Sequence, residues 1–169
     1  MYKKVVKLIT WSILFANTAS AEEIKIGISQ HDFDRKLGNR IEKGKNINIE
    51  FLANNVDSLL NGRPHIGISM NNQGYTSNFY SGVTWTFNKL NPFYVEASLG
   101  VSLNNGVKKT SNKQRPIGSN LLFRESISIG YNISDSYNVS LMVDHISSAD
   151  IAKPNPGLTD IGIRIGYKF

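Results

Sequence analysis

A histidine and a serine lie two residues apart near the end of one alternating segment of this 169-residue chain. The segment runs from Tyr137 to Ser147, and its apolar residues share one parity with His145 and Ser147. Because side chains of a β-strand repeat their facing every two residues, these two would lie on one face about 6.5 to 7 Å apart. A histidine that bonds a serine hydroxyl can activate it as a nucleophile. The alternative is that the apolar stretch ends at Val143 and that both residues belong to a polar rim, since a strand leaving a bilayer becomes polar.

The rest of the chain alternates with the same period of two. Eight segments each have one apolar face and one face rich in Gly, Ser, Thr and Asn, and they cover residues 24–29, 47–53, 65–70, 79–87, 93–103, 121–131, 137–147 and 159–169. Apolar side chains facing lipid around a polar, tightly filled interior are typical of outer-membrane strands. A soluble sandwich or lipocalin-like barrel would instead have apolar side chains inside and more charge outside. The pattern therefore predicts an all-β fold, an eight-stranded antiparallel transmembrane β-barrel, with aromatic girdles near the strand ends.

The N-terminus and the composition narrow the classes of function. Three lysines in the first seven residues, an apolar stretch and a final Ala-Ser-Ala predict a secretory signal peptide over residues 1–21, followed by a barrel over 22–169. The formal charge of +6 then falls to 16 basic against 13 acidic residues, and no basic stripe remains to favour nucleic-acid binding. The absence of cysteine excludes disulfides and thiol catalysis, so any nucleophile must be an oxygen.

The lengths of the connections predict the orientation of the barrel. Those near residues 54–62, 88–92 and 132–136 are mostly short, whereas those near 31–45, 104–119 and 148–157 are longer and the one near 71–76 is short. Short turns are periplasmic in outer-membrane barrels, which places both termini on that side. The His145 end of its strand then lies at the outer leaflet of the outer membrane.

Several motifs resemble a known family. His145-Ile146-Ser147-Ser148, the following Asn155-Pro156-Gly157 and the closing strand from Gly162 to the terminal Phe169 resemble the lipid A 3-O-deacylase family of outer-membrane barrels. The stretches 62–67 and 118–123 are similar to related acyloxyacyl-hydrolase-type sequences. The resemblance spans most of the mature chain, and its diagnostic part is residues 145–169.

This resemblance implies a serine esterase that removes the 3-linked hydroxyacyl chain of lipid A without a metal or an organic cofactor. Ser147 would be the nucleophile and His145 the general base. Two positions depart from the family pattern. The family usually has Asn directly after the serine, contributing to the oxyanion site, where this chain has Ser148; its acid falls fourteen residues after the histidine, where this chain has Thr159.

Two carboxylates could replace the missing acid. Asp160 has the parity of Gly162 and Arg164, so it is expected to point into the lumen and to reach His145 only through a bulge. Glu125 has the lipid-facing parity of its segment, although a slipped strand or a polar partner would also explain it. Thr159 itself could orient the histidine as a neutral acceptor.

The position expected for Glu125 depends on the register of the hairpin that joins the segments 121–131 and 137–147. If the turn at 132–136 pairs Tyr131 with Tyr137, Glu125 lies opposite Val143 and diagonal to His145.

The remaining charged residues allow weaker hypotheses. His31, Asp32 and Asp34 resemble a metal cluster only superficially, and no metal is expected. Basic residues of two outward loops could meet lipid A phosphates or could simply be solvated: Arg35, Lys36, Arg40, Lys43 and Lys45 in the first, and Lys108, Lys109, Lys113 and Arg115 in the third.

The sequence thus predicts an exported bacterial outer-membrane enzyme whose substrate is lipid A, the lipid moiety of lipopolysaccharide. A homodimer is compatible with this interpretation. The rival is a non-enzymatic barrel of the same fold that stabilises the membrane or presents loops for adhesion, which Thr159 and Ser148 favour. A pore is disfavoured, because eight strands leave a lumen that side chains fill.

Overall fold

The computed structural model describes residues 21–33, 41–109 and 114–169 as a closed antiparallel barrel in which β1 pairs with both β2 and β8. The predicted eight-stranded fold is confirmed. Residues 1–20 of the expected signal peptide lie outside the described residues, and the first strand begins at Ala21. The strands are β1 (Ala21–Gln30), β2 (Lys45–Ala53), β3 (Arg63–Asn71), β4 (Asn78–Leu90), β5 (Phe93–Asn104), β6 (Leu121–Asn132), β7 (Tyr137–Ser147) and β8 (Leu158–Lys168), with a 3-10 turn at Asp57–Leu59.

The two faces of each strand differ in the way that the alternation predicts. In β6, the side chains of Leu121, Phe123, Ile127 and Ile129 are exposed on the outside, while those of Leu122, Arg124, Ser126 and Ser128 are buried in the lumen. A wall whose outer face is apolar and whose inner face is polar is stable when lipid surrounds it. No helix among the described residues is long and apolar enough to cross a membrane.

Charged side chains fill the lumen in opposite pairs. Lys25 Nζ lies 2.5 Å from Glu96 Oε1, and Arg164 Nη1 donates to Glu50 Oε1 at 2.8 Å. Arg124 lies 2.9 Å from Asp144 and stacks on a buried tyrosine ring. Since a buried charge is tolerated only beside a partner, these pairs fix the inward face of the strands that carry them.

The ends of the barrel are distinct. The connections 54–62, 91–92 and 133–136 lie at the end of the barrel where β1 begins and β8 ends. Aromatic pairs lie at the same end, such as Tyr137 and Tyr167, whose ring centroids are 5.1 Å apart. The connections 72–77 and 148–157 and the described parts of the β1–β2 and β5–β6 connections lie at the opposite end. The end of β7 that carries His145 and Ser147 therefore lies at this opposite end, next to the 148–157 connection.

Candidate functional site

His145 lies on the outer face of β7 between residues of two neighbouring strands. Its direct partners across the ladders are Glu125 on β6 and Thr159 on β8. Ser147 is half-buried on the same face, opposite Phe123. Four polar side chains thus form one patch on a surface that is otherwise apolar.

The predicted register of the β6–β7 hairpin is wrong by two residues. Tyr131 pairs with Val139 rather than with Tyr137, because the carbonyl of Tyr137 closes the turn by accepting the N–H groups of Ile133 and Ser134 at 2.9 and 3.1 Å. The shift keeps each side chain on its expected face but moves the cross-strand partners. Glu125 consequently lies directly opposite His145 and not diagonal to it.

Two contacts fix the orientation of the imidazole of His145. Its Nδ1 lies 2.8 Å from Thr159 Oγ1. Its other edge packs against the backbone of Gly157, where an added Cβ would lie 2.5 Å from Cε1 and 2.7 Å from Nε2. With the proton on Nδ1 directed at Thr159, Nε2 has a free lone pair, which is the state that a general base requires.

The residues on each side of Ser147 anchor the end of β7. Ile146 points inward and belongs to a buried apolar cluster with Ile117, Leu122 and Leu158, each at most 3% exposed. This cluster ties the ends of β6, β7 and β8 together beneath the outer patch. The sequence signal for it is the presence of apolar residues at inward positions where the rest of the lumen is polar.

Ser148, for which the resemblance implies an oxyanion role, makes hydrogen bonds within the 148–157 loop. The residue is buried, and its hydroxyl donates to the carbonyl of Ala152 at 2.7 Å. Its N–H donates to Asn155 Oδ1 at 2.8 Å. Both donors of Ser148 therefore hold the 148–157 loop, and its hydroxyl is turned away from the outer face. Among the described residues, no hydrogen bond joins Ser147 to His145.

Asp160 points into the lumen, as its parity predicts, and its carboxylate does not face His145. Its carboxylate lies 3.1 Å from His31 Nδ1 and accepts from Asn46 Nδ2 at 2.7 Å and from the N–H of Asp32 at 3.0 Å. No bulge interrupts the pairing of β8 with β7 at His145 and Thr159. Glu125 is therefore the sole candidate acid that shares the outer face with His145.

Beneath the site, His31 forms a buried cluster that sequence reasoning missed. Its Nε2 lies 2.7 Å from Glu42 Oε2, and its Nδ1 faces Asp160. Burial alone would lower the pKa of His31, but the hydrogen bonds and charges of the two carboxylates outweigh it and raise the pKa to about 9. Because a protonated imidazole occupies the position between the carboxylates, this cluster is an ion-pair network. The described residues contain no group suited to hold a metal ion, and Asp34 lies outside them.

The predicted basic loops are only partly as expected. Arg115 is buried rather than solvated, and its Nε lies 2.8 Å from Asp32. It is therefore not available to a lipid phosphate. The exposed cations are Lys43, Lys45, Lys108 and Lys109, while Arg35, Lys36, Arg40 and Lys113 lie outside the described residues.

Comparisons with known proteins agree with this architecture. The Lipid A deacylase PagL of Bordetella bronchiseptica is 34% identical over 77 residues, which cover 46% of this chain and 42% of that protein. The match therefore spans less than half of that relative's length. The crystal structure of the outer membrane enzyme PagL has a TM-score of 0.66 at 13% identity and covers 87% of this chain and 99% of that one. The crystal structure of Neisserial surface protein A (NspA) has a TM-score of 0.56 at 10% identity, covering 89% and 99%.

At such low identities, the two solved structures show a shared barrel fold and nothing more. The sequence carries the stronger relationship. The family described as Lipid A 3-O-deacylase (PagL) matches residues 33–168, which is most of the chain. The protein therefore belongs to the lipid A 3-O-deacylase (PagL) family.

Proposed function

We propose that this protein is an outer-membrane lipid A deacylase, a serine esterase that hydrolyses the 3-linked hydroxyacyl ester of lipid A. The observation that carries the proposal is the oriented imidazole of His145 on the lipid-facing side of the barrel, held by Thr159 and two residues from Ser147. Membership of the family supports the same reaction. The substrate is the lipid that surrounds the site, so no lumenal channel is needed.

The chemistry follows from the two nitrogens of His145. Nε2 takes the proton of the Ser147 hydroxyl as its oxygen attacks the ester carbonyl. The tetrahedral intermediate collapses when the same imidazole returns the proton to the departing sugar oxygen, which leaves an acyl-serine. Water then attacks this ester with His145 again as the base, releasing the hydroxy fatty acid and restoring Ser147.

Thr159 and Glu125 each take one of the two roles that a single acid has in an ordinary triad. A triad acid fixes the tautomer of the histidine and stabilises the imidazolium that forms. In this proposal, Thr159 Oγ1 does the first by accepting the Nδ1 proton. The carboxylate of Glu125 does the second through space, since it faces the ring across the β6–β7 ladder but lies outside hydrogen-bond contact with it. The arrangement predicts a slower esterase than one with a carboxylate at position 159.

The proposal also sets the location of the protein. The barrel lies in the bacterial outer membrane, and the segment 1–21 is removed during export. The intact mass of barrel extracted from membranes should therefore correspond to a chain that begins at Glu22. The site is built within one chain, so the activity does not require a homodimer.

The decisive experiment follows the mass of lipid A incubated with refolded barrel. Loss of one hydroxyacyl group is expected, and Ser147→Ala and His145→Ala should each abolish it. Ser81→Ala is the matched control, because Ser81 is an exposed serine on the outer face of β4 away from the site. Release that persists in Ser147→Ala would exclude this serine as the nucleophile.

One observation favours the non-enzymatic alternative. No carboxylate among the described residues makes a hydrogen bond to His145. If the refolded wild-type barrel releases no acyl chain, the adhesive or membrane-stabilising role remains.

A further inference from the structure

A groove of about 660 Å³ crosses the outer face of strands β4 to β7 and reaches His145. Large side chains of Trp85, Leu99 and Ile127 form its walls, and the small Ala97 leaves its floor open. The volume lies within the ~300 to 1,000 Å³ of ordinary small-ligand sites. Since the groove opens to lipid and extends from His145 toward the middle of the barrel wall, an acyl chain entering from the outer leaflet fits its direction.

Among the residues that line this groove, Glu125 is the one with a carboxylate side chain. Away from the strand ends, Glu125 and His145 are the only acidic or basic side chains on the outer face of the described strands. Placing a carboxylate against lipid costs free energy, so it calls for a compensating partner. No described residue donates a hydrogen bond to the carboxylate of Glu125, and Nδ1 of His145 contacts Thr159 Oγ1 instead.

We propose that Glu125 selects a hydroxylated acyl chain by accepting a hydrogen bond from its 3-hydroxyl group. This inference rests on the proposed deacylase function. Ser147 is the diagonal neighbour of Glu125 across the β6–β7 ladder, and such neighbours lie about 7 to 8 Å apart. The hydroxyl is two carbons from the carbonyl that Ser147 attacks, so a glutamate side chain spans the remaining distance. An ionised carboxylate can only accept hydrogen bonds, and the hydroxyl is the donor that an otherwise apolar chain offers.

Other occupants suit the groove less well. A carboxylate repels the phosphates of lipid A and of phospholipids, and an unsubstituted acyl chain would leave Glu125 without a donor. The occupant is therefore the 3-hydroxyacyl chain of the substrate itself.

The test is a competition between two lipid A analogues that differ only in the 3-linked chain, which is hydroxylated in one and plain in the other. An equimolar mixture is given to refolded barrel, and mass spectrometry follows the release of each chain. The wild type should prefer the hydroxylated chain by about 10- to 100-fold, the range expected of a hydrogen bond to a charged acceptor. Glu125→Leu should bring this ratio close to one.

Two further variants make the ratio interpretable. Glu125→Gln keeps an acceptor oxygen without the charge, so it should lower the preference by about threefold to tenfold, and it decides the question if the leucine variant does not fold. Glu22→Gln is the matched control, because Glu22 is an exposed glutamate at the opposite end of the barrel wall. Its ratio should equal that of the wild type.

The outcomes distinguish the role of Glu125 from the deacylase activity on which it rests. A wild-type ratio near one, or a preference that both Glu125 variants retain, overturns the role of Glu125 while leaving the deacylase in place. Release of neither chain by the wild type overturns the deacylase itself and this inference with it. A general loss of rate with an unchanged ratio would be explained by the loss of the charge beside the His145 imidazolium, and it would also overturn the inference.

Discussion

Replacing Gly157 by alanine should disable the site while leaving the barrel intact. Gly157 has a φ of +66°, and the added Cβ would lie 2.5 Å from Cε1 of His145. Carbon atoms pack at about 3.5 to 4.0 Å, so the edge of the imidazole must move by roughly 1 Å. The same movement disturbs the 2.8 Å contact between Nδ1 and Thr159, because both atoms belong to one rigid ring.

The expected loss of activity follows from that displacement. Misplacing a catalytic group by about 1 Å costs on the order of 100-fold in rate, which corresponds to about 2.7 kcal/mol in activation free energy. The backbone penalty for a non-glycine residue at positive φ is about 1 to 2 kcal/mol, and it falls on the 148–157 loop rather than on the strands. We therefore expect a fall of about 100-fold in kcat for acyl release with an almost unchanged unfolding midpoint.

Gly74→Ala is the matched control for this substitution. Gly74 has a φ of +76° in the β3–β4 connection, and an added Cβ would have no heavy atom within 4 Å. It carries the same backbone penalty without touching the site, so its rate should match that of the wild type. A Gly157→Ala barrel as active as the wild type would refute the argument that this contact holds the ring. Equal losses in both variants would attribute the effect to backbone strain instead.

Three other predictions follow from the contacts around the site and in the lumen. Thr159→Glu restores a carboxylate beside His145 and should raise kcat by one or more orders of magnitude, measured by lipid A deacylation. The pKa of His31 is raised to about 9, so its contribution to stability is fully present below about pH 6.5 and is lost as the pH rises through 9. Unfolding midpoints measured between pH 6 and 10 should show this decline in the wild type, and His31→Gln should flatten it. Arg164→Met leaves Glu50 without its 2.8 Å partner and should lower the free energy of unfolding by about 3 to 5 kcal/mol in urea titrations.

The alternation of the sequence was sufficient to predict the strands and their faces, but not the register. In β6 and β7, every apolar residue of the alternating pattern points outward as expected. A slip of two residues preserves the facing of each side chain, so the pattern cannot distinguish Tyr131 opposite Tyr137 from Tyr131 opposite Val139. The turn at 133–136 decides between them, and its hydrogen bonds to Tyr137 are a property of local backbone geometry. This is why the position of Glu125 relative to His145 had to come from the structure.

The contacts beneath the site were beyond prediction for a different reason. The parity of Asp160 indicated that it points inward, yet its partners are His31, Asp32 and Asn46 in distant parts of the chain. Period-two patterns describe one strand at a time and carry no information about which loop residues enter the lumen. The contact between Gly157 and the His145 ring is equally invisible, because the motif gives only their separation along the chain.

The two faces of β8 explain why Asp160 cannot be recruited as the acid. Bringing Asp160 to the outer face by a one-residue slip would invert the strand, turning Arg164 toward lipid and breaking its ion pair with Glu50. An arginine near the bilayer midplane costs about 2 to 4 kcal/mol, and a broken buried ion pair costs about 3 to 5 kcal/mol. Together these approach the whole stability of a typical domain, about 5 to 15 kcal/mol.

A local bulge would be no less disruptive. It would displace the carbonyl of Thr159 from the N–H of Phe33, with which it bonds at 2.6 Å, and would remove Asp160 from His31. The inward-facing side chains of β8 must therefore stay in the lumen. In the proposed mechanism, the charge that stabilises the His145 imidazolium therefore comes from across the β6–β7 ladder, where Glu125 lies opposite His145.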